Sequence, residues 1–310
     1  MVEQHTPPDF SAYGIDTLWL NPQPTKRTIL IAYAHPDDES FGNAGTIARY
    51  TGEGVAVHYA CATRGECGDV APELLEGYAD VGALRTQELT NAARALNMAA
   101  VHFLGYRDSG MPGAPDNQHP KALVQAPREQ VTGQLTALIR ALRPQVVITF
   151  GPYGGYGHPD HIAMHYATVA AFRAASDASR FPEQRAAGLQ PWAPARLYYS
   201  TMGSAMLRVG VLVMRLMGRD PRRFGNNQDI DMLRALEEIT PTHALINTGQ
   251  HLEQQDQARL SHRSQLGGMA SMMKIPAWWR RMTSREGFTQ AIPAWQGGAR
   301  LRDLFEGIDS

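Results

Sequence analysis

The chain has 310 residues and a formal net charge of −1, with 43% hydrophobic and 19% charged residues. Such a composition is typical of a globular protein with a large core. Because basic residues are not in excess, nucleic acid is not an expected partner, and a small molecule is favoured instead.

The N-terminal residues show no basic segment followed by an apolar one, so no signal peptide is predicted. The longest apolar stretch covers residues 202–218, but it is short and contains Arg208 and Arg215, which makes it a poor membrane span. The two cysteines, Cys61 and Cys67, are too few for a disulfide framework. These observations predict a cytoplasmic protein without a membrane span.

Residues 1–26 are rich in proline and predict an irregular N-terminal segment. Strands and helices then alternate along the chain. The predicted strands cover residues 28–34, 55–63, 101–106 and 145–150. The predicted helices cover residues 41–54, 82–98, 127–144 and 158–175. This alternation predicts an α/β fold built from parallel βαβ units with right-handed crossovers.

The pattern becomes weaker towards the C-terminus. Further predicted elements are a strand at 195–201, helices at 229–239 and 251–265, and a strand or connector at 242–248. We expect a single domain over residues 27–310, whose less regular part after residue 180 covers the active-site side. The methionine-rich segment 202–217 would then shape the substrate pocket or form the contact surface of a homo-oligomer.

Most residues capable of chemistry follow the ends of predicted strands. Residues 35–38 follow the first strand, 63–69 the second, 107–108 the third and 151–161 the fourth. In parallel sheets, ligands bind beyond the carboxyl ends of the strands. We therefore expect these residues to surround one binding site.

The stretch AHPDDES, residues 34–40, places a histidine beside three carboxylates directly after the first strand. One interpretation is structural, because carboxylates stabilise the first turn of a helix. The stretch GPYGGYGHPDHIAMH, residues 151–165, repeats the order His-Pro-Asp at another strand end. Two histidines and one carboxylate with an open position form catalytic zinc sites, and this ligand set is also compatible with Fe2+. The two stretches together favour a metal centre.

Six motifs occur in order: HPDDESFGNAGTI, TRGECGD, LRTQEL, GYRDSGM, GHPDH and HRSQ. Together they resemble the LmbE-like, or PIG-L, family of zinc-dependent N-acetylglucosamine deacetylases. The resemblance covers residues 28–166 and returns at 262–265. It implies a Rossmann-like parallel sheet with helices on both faces and without a bound nucleotide.

The resemblance also implies roles for individual residues. The zinc ligands would be His35, Asp38 and His161. Asp37 would be the general base, and His158 would face the substrate carbonyl. Arg85 and Asp108 match positions that contact the sugar in family members.

Three further residues are candidates for substrate binding from their chemistry. Tyr156 would assist His158 at the carbonyl, and Arg64 would bind substrate or orient its loop. His262 either folds back to line the pocket or lies on a surface helix. Glu39 is interpreted as a first-turn acid or as a partner of another site residue, and Asp160 as a helix cap.

These roles describe hydrolysis of an amide. Zinc activates a water, Asp37 accepts its proton, and His158 stabilises the oxyanion. The expected substrate is a small N-acetylated sugar or glycoconjugate. Two alternatives are an amidase acting on low-molecular-weight thiol conjugates and a catalytically silent sugar-binding protein. The presence of Asp37 argues against the silent protein, because binding alone needs no base.

Overall fold

The computed structural model describes residues 7–22, 25–201, 203–225, 228–267 and 275–308. Its strands are β1 (Asp16–Trp19), β2 (Thr28–Tyr33), β3 (Ala56–Cys61), β4 (Ala100–Phe103), β5 (Val146–Phe150), β6 (Arg196–Thr201), β7 (Ala244–Asn247) and β8 (Arg285–Ile292). Its α-helices are α1 (Asp38–Gly52), α2 (Val81–Ala95), α3 (Arg128–Leu142), α4 (Gly154–Gly157), α5 (Pro159–Ala174), α6 (Pro182–Ala186), α7 (Ser204–Leu216), α8 (Met232–Glu237), α9 (Leu252–Ser261) and α10 (Ala277–Thr283).

Within the described ranges, the strands form one sheet in the order β1-β4-β3-β2-β5-β6-β8-β7. The central strands from β4 to β6 run parallel, whereas β1, β8 and β7 pair antiparallel at the two sides. From β2 the sheet grows through β3 and β4 on one side, and later through β5 and β6 on the other. Such a reversal opens a crevice at the carboxyl ends of the inner strands, where ligands bind. Here the crevice lies between β2 and β5.

Helices cover both faces of the sheet, as the continuous apolar run of β2 predicts. Ile29, Ile31 and Tyr33 belong to the core that includes α1 and α2. Leu30 and Ala32 point to the opposite face, where they join the core with α3 and α5. The predicted α/β fold, a Rossmann-like parallel sheet with helices on both faces, is therefore confirmed.

Two strands lie outside the predicted elements. Residues 1–26 are predicted to be irregular, but β1 pairs antiparallel with β4, with Asp16 opposite Phe103. β8 lies in the C-terminal part and joins the sheet between β6 and β7. Both strands depend on pairing with distant segments, which periodicity within a short window does not reveal. The irregular N-terminus is thus wrong for residues 16–19, while the domain boundaries stay predictions.

Helix α1 starts at Asp38, as expected if the carboxylates of AHPDDES lie in its first turn, and it consists of two pieces. The helical conformation is interrupted at Asn43, whose φ is −140° and ψ is 23°. After this interruption, the backbone N–H groups of Gly45 and Thr46 donate to the carboxylate of Glu286 in β8, at 2.9 and 2.8 Å. A side chain from the C-terminal part therefore caps the second piece of the helix that begins at Asp38, the last residue of the HPDD motif.

Helix α7 carries much of the exposed apolar surface. Its exposed apolar residues, spaced as one helical stripe, are Val209, Leu212, Val213 and Leu216. Leu207 and Val211 are buried on the other side of the helix. No helix in the described ranges combines the length and the apolar character needed to cross a bilayer.

A buried pair of histidines, His58 in β3 and His102 in β4, lies next to β1. His58 Nδ1 lies 3.1 Å from His102 Nε2, and His102 Nδ1 lies 3.0 Å from the Thr17 hydroxyl. Burial lowers the pKa of His58 to about 4. Burial and the neighbouring His58 also lower the pKa of His102.

We expect the free energy of unfolding to fall as the pH drops from about 6.5, where an unfolded histidine titrates, to about 4. The reason is that the unfolded chain binds more protons than the folded one in this range. At about 1.4 kcal/mol per pKa unit, His58 alone accounts for about 3 kcal/mol. Urea unfolding of the wild type and of His58→Gln across this range measures the effect. If His58→Gln showed the same loss of stability with falling pH as the wild type, His58 would not be the cause.

Candidate metal centre

The candidate centre is formed by two turns at the crevice between β2 and β5. The first turn follows β2 and contains His35, directly before α1 begins at Asp38. The second turn follows β5 and leads through the glycine-rich α4 to His158, which caps the N-terminus of α5. The rings of His35 and His158 lie 4.5 Å apart between their centroids. The two His-Pro-Asp segments therefore meet at the predicted edge of the sheet.

His35, Asp38 and His161 bring three donor atoms together. His35 Nδ1 lies 3.1 Å from His161 Nε2. The Asp38 carboxylate lies 3.6 Å from His35 Nδ1 through Oδ2, and 3.3 Å from His161 Nε2 through Oδ1. In a tetrahedral site, ligands about 2.0–2.1 Å from zinc lie about 3.3–3.4 Å from one another. The spacing of these donors therefore fits a divalent cation.

The remaining ring nitrogens of both histidines have fixed partners. His35 Nε2 lies 3.2 Å from Asp160 Oδ2, and His161 Nδ1 lies 3.0 Å from the carbonyl oxygen of Gly154. Because a carboxylate and a carbonyl only accept, these two nitrogens carry the protons. This leaves His35 Nδ1 and His161 Nε2 free to bind a cation. Outer partners of this kind orient metal-binding imidazoles, so the hydrogen bonds support the same donor set.

A second group of potential donors lies beside the first. His35, Asp108, His158 and Asp160 each bring one donor atom within 4.8 Å of the others. However, Asp160 is fully buried and accepts hydrogen bonds from the backbone and the hydroxyl of Ser109. Asp108 accepts from two backbone N–H groups. Since both carboxylates are engaged in this way, we interpret them as support for His35.

Charge in the centre favours a cation. Burial lowers the pKa of His35, but Asp108, Asp160 and Asp38 raise it well above its usual value. Burial raises the pKa of Asp38, but His161 and His35 hold it well below its usual range. Burial also raises the pKa of Asp108, and His35 more than offsets this. Ionised carboxylates therefore surround the imidazole donors.

Asp37 is the carboxylate of the centre that reaches open space. Its side chain is 18% exposed, against 10% for Asp38 and 0% for Asp160. Oδ2 accepts a hydrogen bond of 3.0 Å from Arg85, whereas Oδ1 has no hydrogen-bond partner within the described ranges. Burial raises the pKa of Asp37 to about 6, although Arg85 lowers it. A carboxylate with one free oxygen can accept a proton from water.

Arg85 holds the turn around Asp37. It is 3% exposed and donates to the carbonyl oxygens of Gly65 at 2.9 Å and Pro36 at 2.7 Å. Residue 65 has to be glycine, because its φ is +69° and a Cβ there would collide with the guanidinium. Arg85 therefore has an internal role through its two terminal nitrogens, while its Nε has no partner within the described ranges. Its contact with the sugar stays a prediction.

His158 and Tyr156 flank the donor group. The Tyr156 ring lies 5.0 Å from that of His161 between centroids. His158 Nδ1 accepts a hydrogen bond of 3.2 Å from the backbone N–H of Asp160, so the proton of the neutral ring is on Nε2. Burial and the neighbouring rings of His35 and His161 lower the pKa of His158. The structure therefore presents His158 as a neutral hydrogen-bond donor.

Two predicted substrate-binding residues are engaged elsewhere. The Arg64 guanidinium donates to the Asp16 carboxylate at 2.7 Å and to the Thr86 hydroxyl at 3.0 Å. His262 has no exposed area, and its Nε2 donates to Glu39 at 2.7 Å. Because His262 has no exposed area, the prediction that it lines the pocket is wrong. The Arg64 side chain is 34% exposed, so its contact with substrate stays a prediction.

Sequence reasoning left the role of Glu39 open and missed Asp160 as part of the centre. Glu39 has the position of a first-turn acid, yet its side chain is fully buried. Asp160 has the position of a helix cap, yet it bonds His35. A signal for Asp160 was available, because HPDH repeats the spacing of HPDD, and an aspartate two residues after a site histidine could support the other segment. No feature of the sequence decides between the two interpretations of Glu39.

The fold is similar to those of solved enzymes that are named for different reactions. N,N'-diacetylchitobiose deacetylase from Pyrococcus horikoshii is 19% identical with a TM-score of 0.58, covering 86% of this chain and 84% of that chain. The 4-carboxy-2-hydroxymuconate hydratase from Pseudomonas putida KT2440 is 17% identical with a TM-score of 0.54, covering 88% and 99%. At these identities the likeness concerns the fold alone.

Sequence comparison is more specific. The pattern of the family described as "PIG-L: GlcNAc-PI de-N-acetylase" matches residues 30–172. The 1D-myo-inositol 2-acetamido-2-deoxy-alpha-D-glucopyranoside deacetylase of Geodermatophilus obscurus is 36% identical over 249 residues, which cover 77% of this chain and 83% of the relative. The relative of the same name from Rhodococcus jostii is 42% identical over 60% of this chain and 65% of its own length. The chain therefore belongs to the PIG-L family, whose members are N-deacetylases.

Proposed function

We propose that this protein is a zinc-dependent N-deacetylase that converts the acetamide of an N-acetylglucosamine-type sugar into a free amine and acetate. The observation that carries this proposal is the donor group of His35, Asp38 and His161 with the half-free carboxylate of Asp37 beside it. The names of the relatives support a glucosamine joined to inositol as the substrate.

The residues of the chain divide the reaction among them. His35, Asp38 and His161 would hold the cation, which supplies Lewis-acid activation of a water and of the amide carbonyl. Asp37 Oδ1 accepts a proton from the attacking water and returns it to the leaving nitrogen as the C–N bond breaks. His158 Nε2–H donates to the amide oxygen, where negative charge grows during the attack. One water is thereby consumed for each acetate and amine released.

Zinc is the proposed metal, because two imidazoles and one carboxylate with an open position suit catalytic zinc. The same ligand set accepts Fe2+, so the metal of the purified protein decides between the two ions. Tyr156 lies next to the donor group and is a proposed contact for the sugar. Asp108, besides its support of His35, is the second proposed contact.

The surroundings of the protein are proposed from two further features. Cys61 and Cys67 are both free thiols, which supports a reducing compartment such as the cytoplasm. The exposed apolar stripe of α7 supports a homo-oligomer, because a contiguous apolar surface of this kind is typical of a protein contact.

Chelation of the purified protein is expected to stop acetate release from N-acetylglucosaminyl-inositol, and added Zn2+ is expected to restore it. The panel should include N-acetylglucosamine, N,N'-diacetylchitobiose and an amide-containing thiol conjugate, with acetate and free amine both measured. Elemental analysis of aerobically and anaerobically purified protein identifies the metal. Protein that holds one equivalent of zinc yet releases acetate from no sugar would contradict the proposal, and cleavage of the thiol conjugate alone would favour the amidase.

A further inference from the structure

The HRSQ motif at the end of α9 reaches the turn that carries Asp37. His262 is separated from Glu39 by 223 residues in sequence, and its Nε2–H donates to Glu39 Oε1 at 2.7 Å. Both side chains have no exposed area. Because the Glu39 carboxylate only accepts, the proton of this bond belongs to His262. The pair is therefore a buried contact between the C-terminal part and the first turn of α1.

Glu39 connects His262 to the backbone of Asp37. Its Oε2 accepts the backbone N–H of Asp37 at 3.0 Å, and its Oε1 also accepts the Ser40 hydroxyl at 2.6 Å. One carboxylate thus joins the His262 ring to the peptide that precedes the Asp37 side chain. If the carboxylate turned away, the Asp37 N–H would lose its acceptor.

The backbone of Asp37 needs such support. Its φ is 135° and its ψ is −26°, a conformation that residues with a Cβ rarely adopt. A strained backbone persists only where surrounding contacts fix it, and it occurs often at functional sites. Arg85 fixes the carbonyl side of this turn through Pro36 and the Asp37 carboxylate. Glu39 fixes the N–H side.

The segment that carries His262 is itself well anchored. Arg259 Nε donates to the carbonyl oxygen of Ser40 at 3.3 Å. The backbone N–H and the hydroxyl of Ser264 donate to the Glu88 carboxylate in α2, at 2.8 and 2.6 Å. The segment is therefore held against both α1 and α2, and it can keep His262 in place against Glu39.

We propose that His262 and Glu39 are positioning residues, which hold Asp37 in the backbone conformation that directs its free oxygen to the attacking water. This inference rests on the proposed function, because it assumes that Asp37 is the base. Neither residue touches the substrate. Their contribution is made entirely through Asp37.

A double-mutant cycle between His262 and Asp37 tests the proposal. We expect His262→Leu to lower kcat by about 10–100-fold, the effect typical of lost outer partners in metal sites. The zinc content and KM should stay close to those of the wild type. His262→Gln, which retains an N–H donor, should recover part of the loss. In the Asp37→Asn background, His262→Leu should have almost no further effect, because the group through which it acts is already gone.

His58→Gln is the matched control, since it also removes a buried imidazole but from β3, where the ring bonds His102. It should change stability without changing kcat. If His262→Leu resembles this control, or if its effect on kcat is equally large in the Asp37→Asn background, the positioning role is wrong. Full activity of Asp37→Asn would instead overturn the proposed base, whatever the result for His262.

Amide hydrogen exchange supplies a readout that does not depend on activity. In His262→Leu, the Asp37 N–H should exchange at least about 10-fold faster, because its acceptor is no longer held in place. The Asp160 N–H, which donates to His158, serves as the reference amide and should be unchanged. Unchanged protection of Asp37 in the variant would also overturn the proposal.

Discussion

Asp37→Asn is expected to lower kcat for acetate release by about 10²–10⁴-fold, the contribution typical of a general base. An amide in this position cannot accept the proton of the attacking water. The Arg85 contact can be kept through the amide oxygen, so the turn itself should persist. Steady-state kinetics with N-acetylglucosaminyl-inositol, together with the zinc content of the variant, measures the effect.

Asp116→Asn is the matched control for this experiment. Asp116 is also paired with an arginine, Arg107, at 2.7 Å, but both side chains are about one third exposed. The same chemical change at this surface position should leave kcat unaltered. The base assignment would be wrong if Asp37→Asn kept its activity with zinc bound. A catalytically silent sugar-binding protein would show no acetate release in either variant or in the wild type.

The position of the centre could be predicted because it depends on the ends of strands. His35 follows β2 and His161 lies in the helix after β5, and these two strands are neighbours in the sheet. The alternation of strands and helices is a local pattern, and parallel strands end at one edge. Two repeats of His-Pro-Asp at such ends were therefore enough to predict one shared site.

The different tasks proposed for Asp37 and Asp38 follow only from the family resemblance. Their side chains diverge because Asp37 has a positive φ while Asp38 begins a helix. Local preference disfavours this conformation for aspartate, so no argument from neighbouring residues would find it. It is contacts from Arg85 and Glu39 that fix it in the folded chain.

Supporting residues could not be predicted because they act over long separations. His262 and Glu286 reach α1 from the C-terminal part, where the periodic pattern of the sequence is weak. Arg64 and Arg85 both appeared suitable for binding a sugar. Their different environments become visible only in the packing of the folded chain. The donors of Arg85 are buried against the turn of Asp37, while Arg64 bonds Asp16 at the surface.

His161→Gln removes one of the donor atoms itself. Loss of an outer partner of a ligand lowers metal affinity by about 10–100-fold, so we expect a larger loss of zinc affinity in this variant. Competition with a chelator of known affinity measures the change. Thermal unfolding with and without zinc gives an independent value, since a cation that binds only the folded chain raises the melting temperature. That increase should be present in the wild type and absent in the variant.

His165→Gln on the same helix separates loss of a ligand from damage to α5. His165 lies one helical turn further along, is also buried, and bonds the carbonyl oxygen of Phe150 through Nδ1 at 2.9 Å. Its replacement should lower stability but leave zinc affinity and the zinc-dependent rise in melting temperature intact. If both variants lost zinc equally, the structure of α5 would be the cause. If His161→Gln bound zinc as the wild type does, the donor set of His35, Asp38 and His161 would be wrong, and the neighbouring group around Asp108 and Asp160 would have to hold the metal instead.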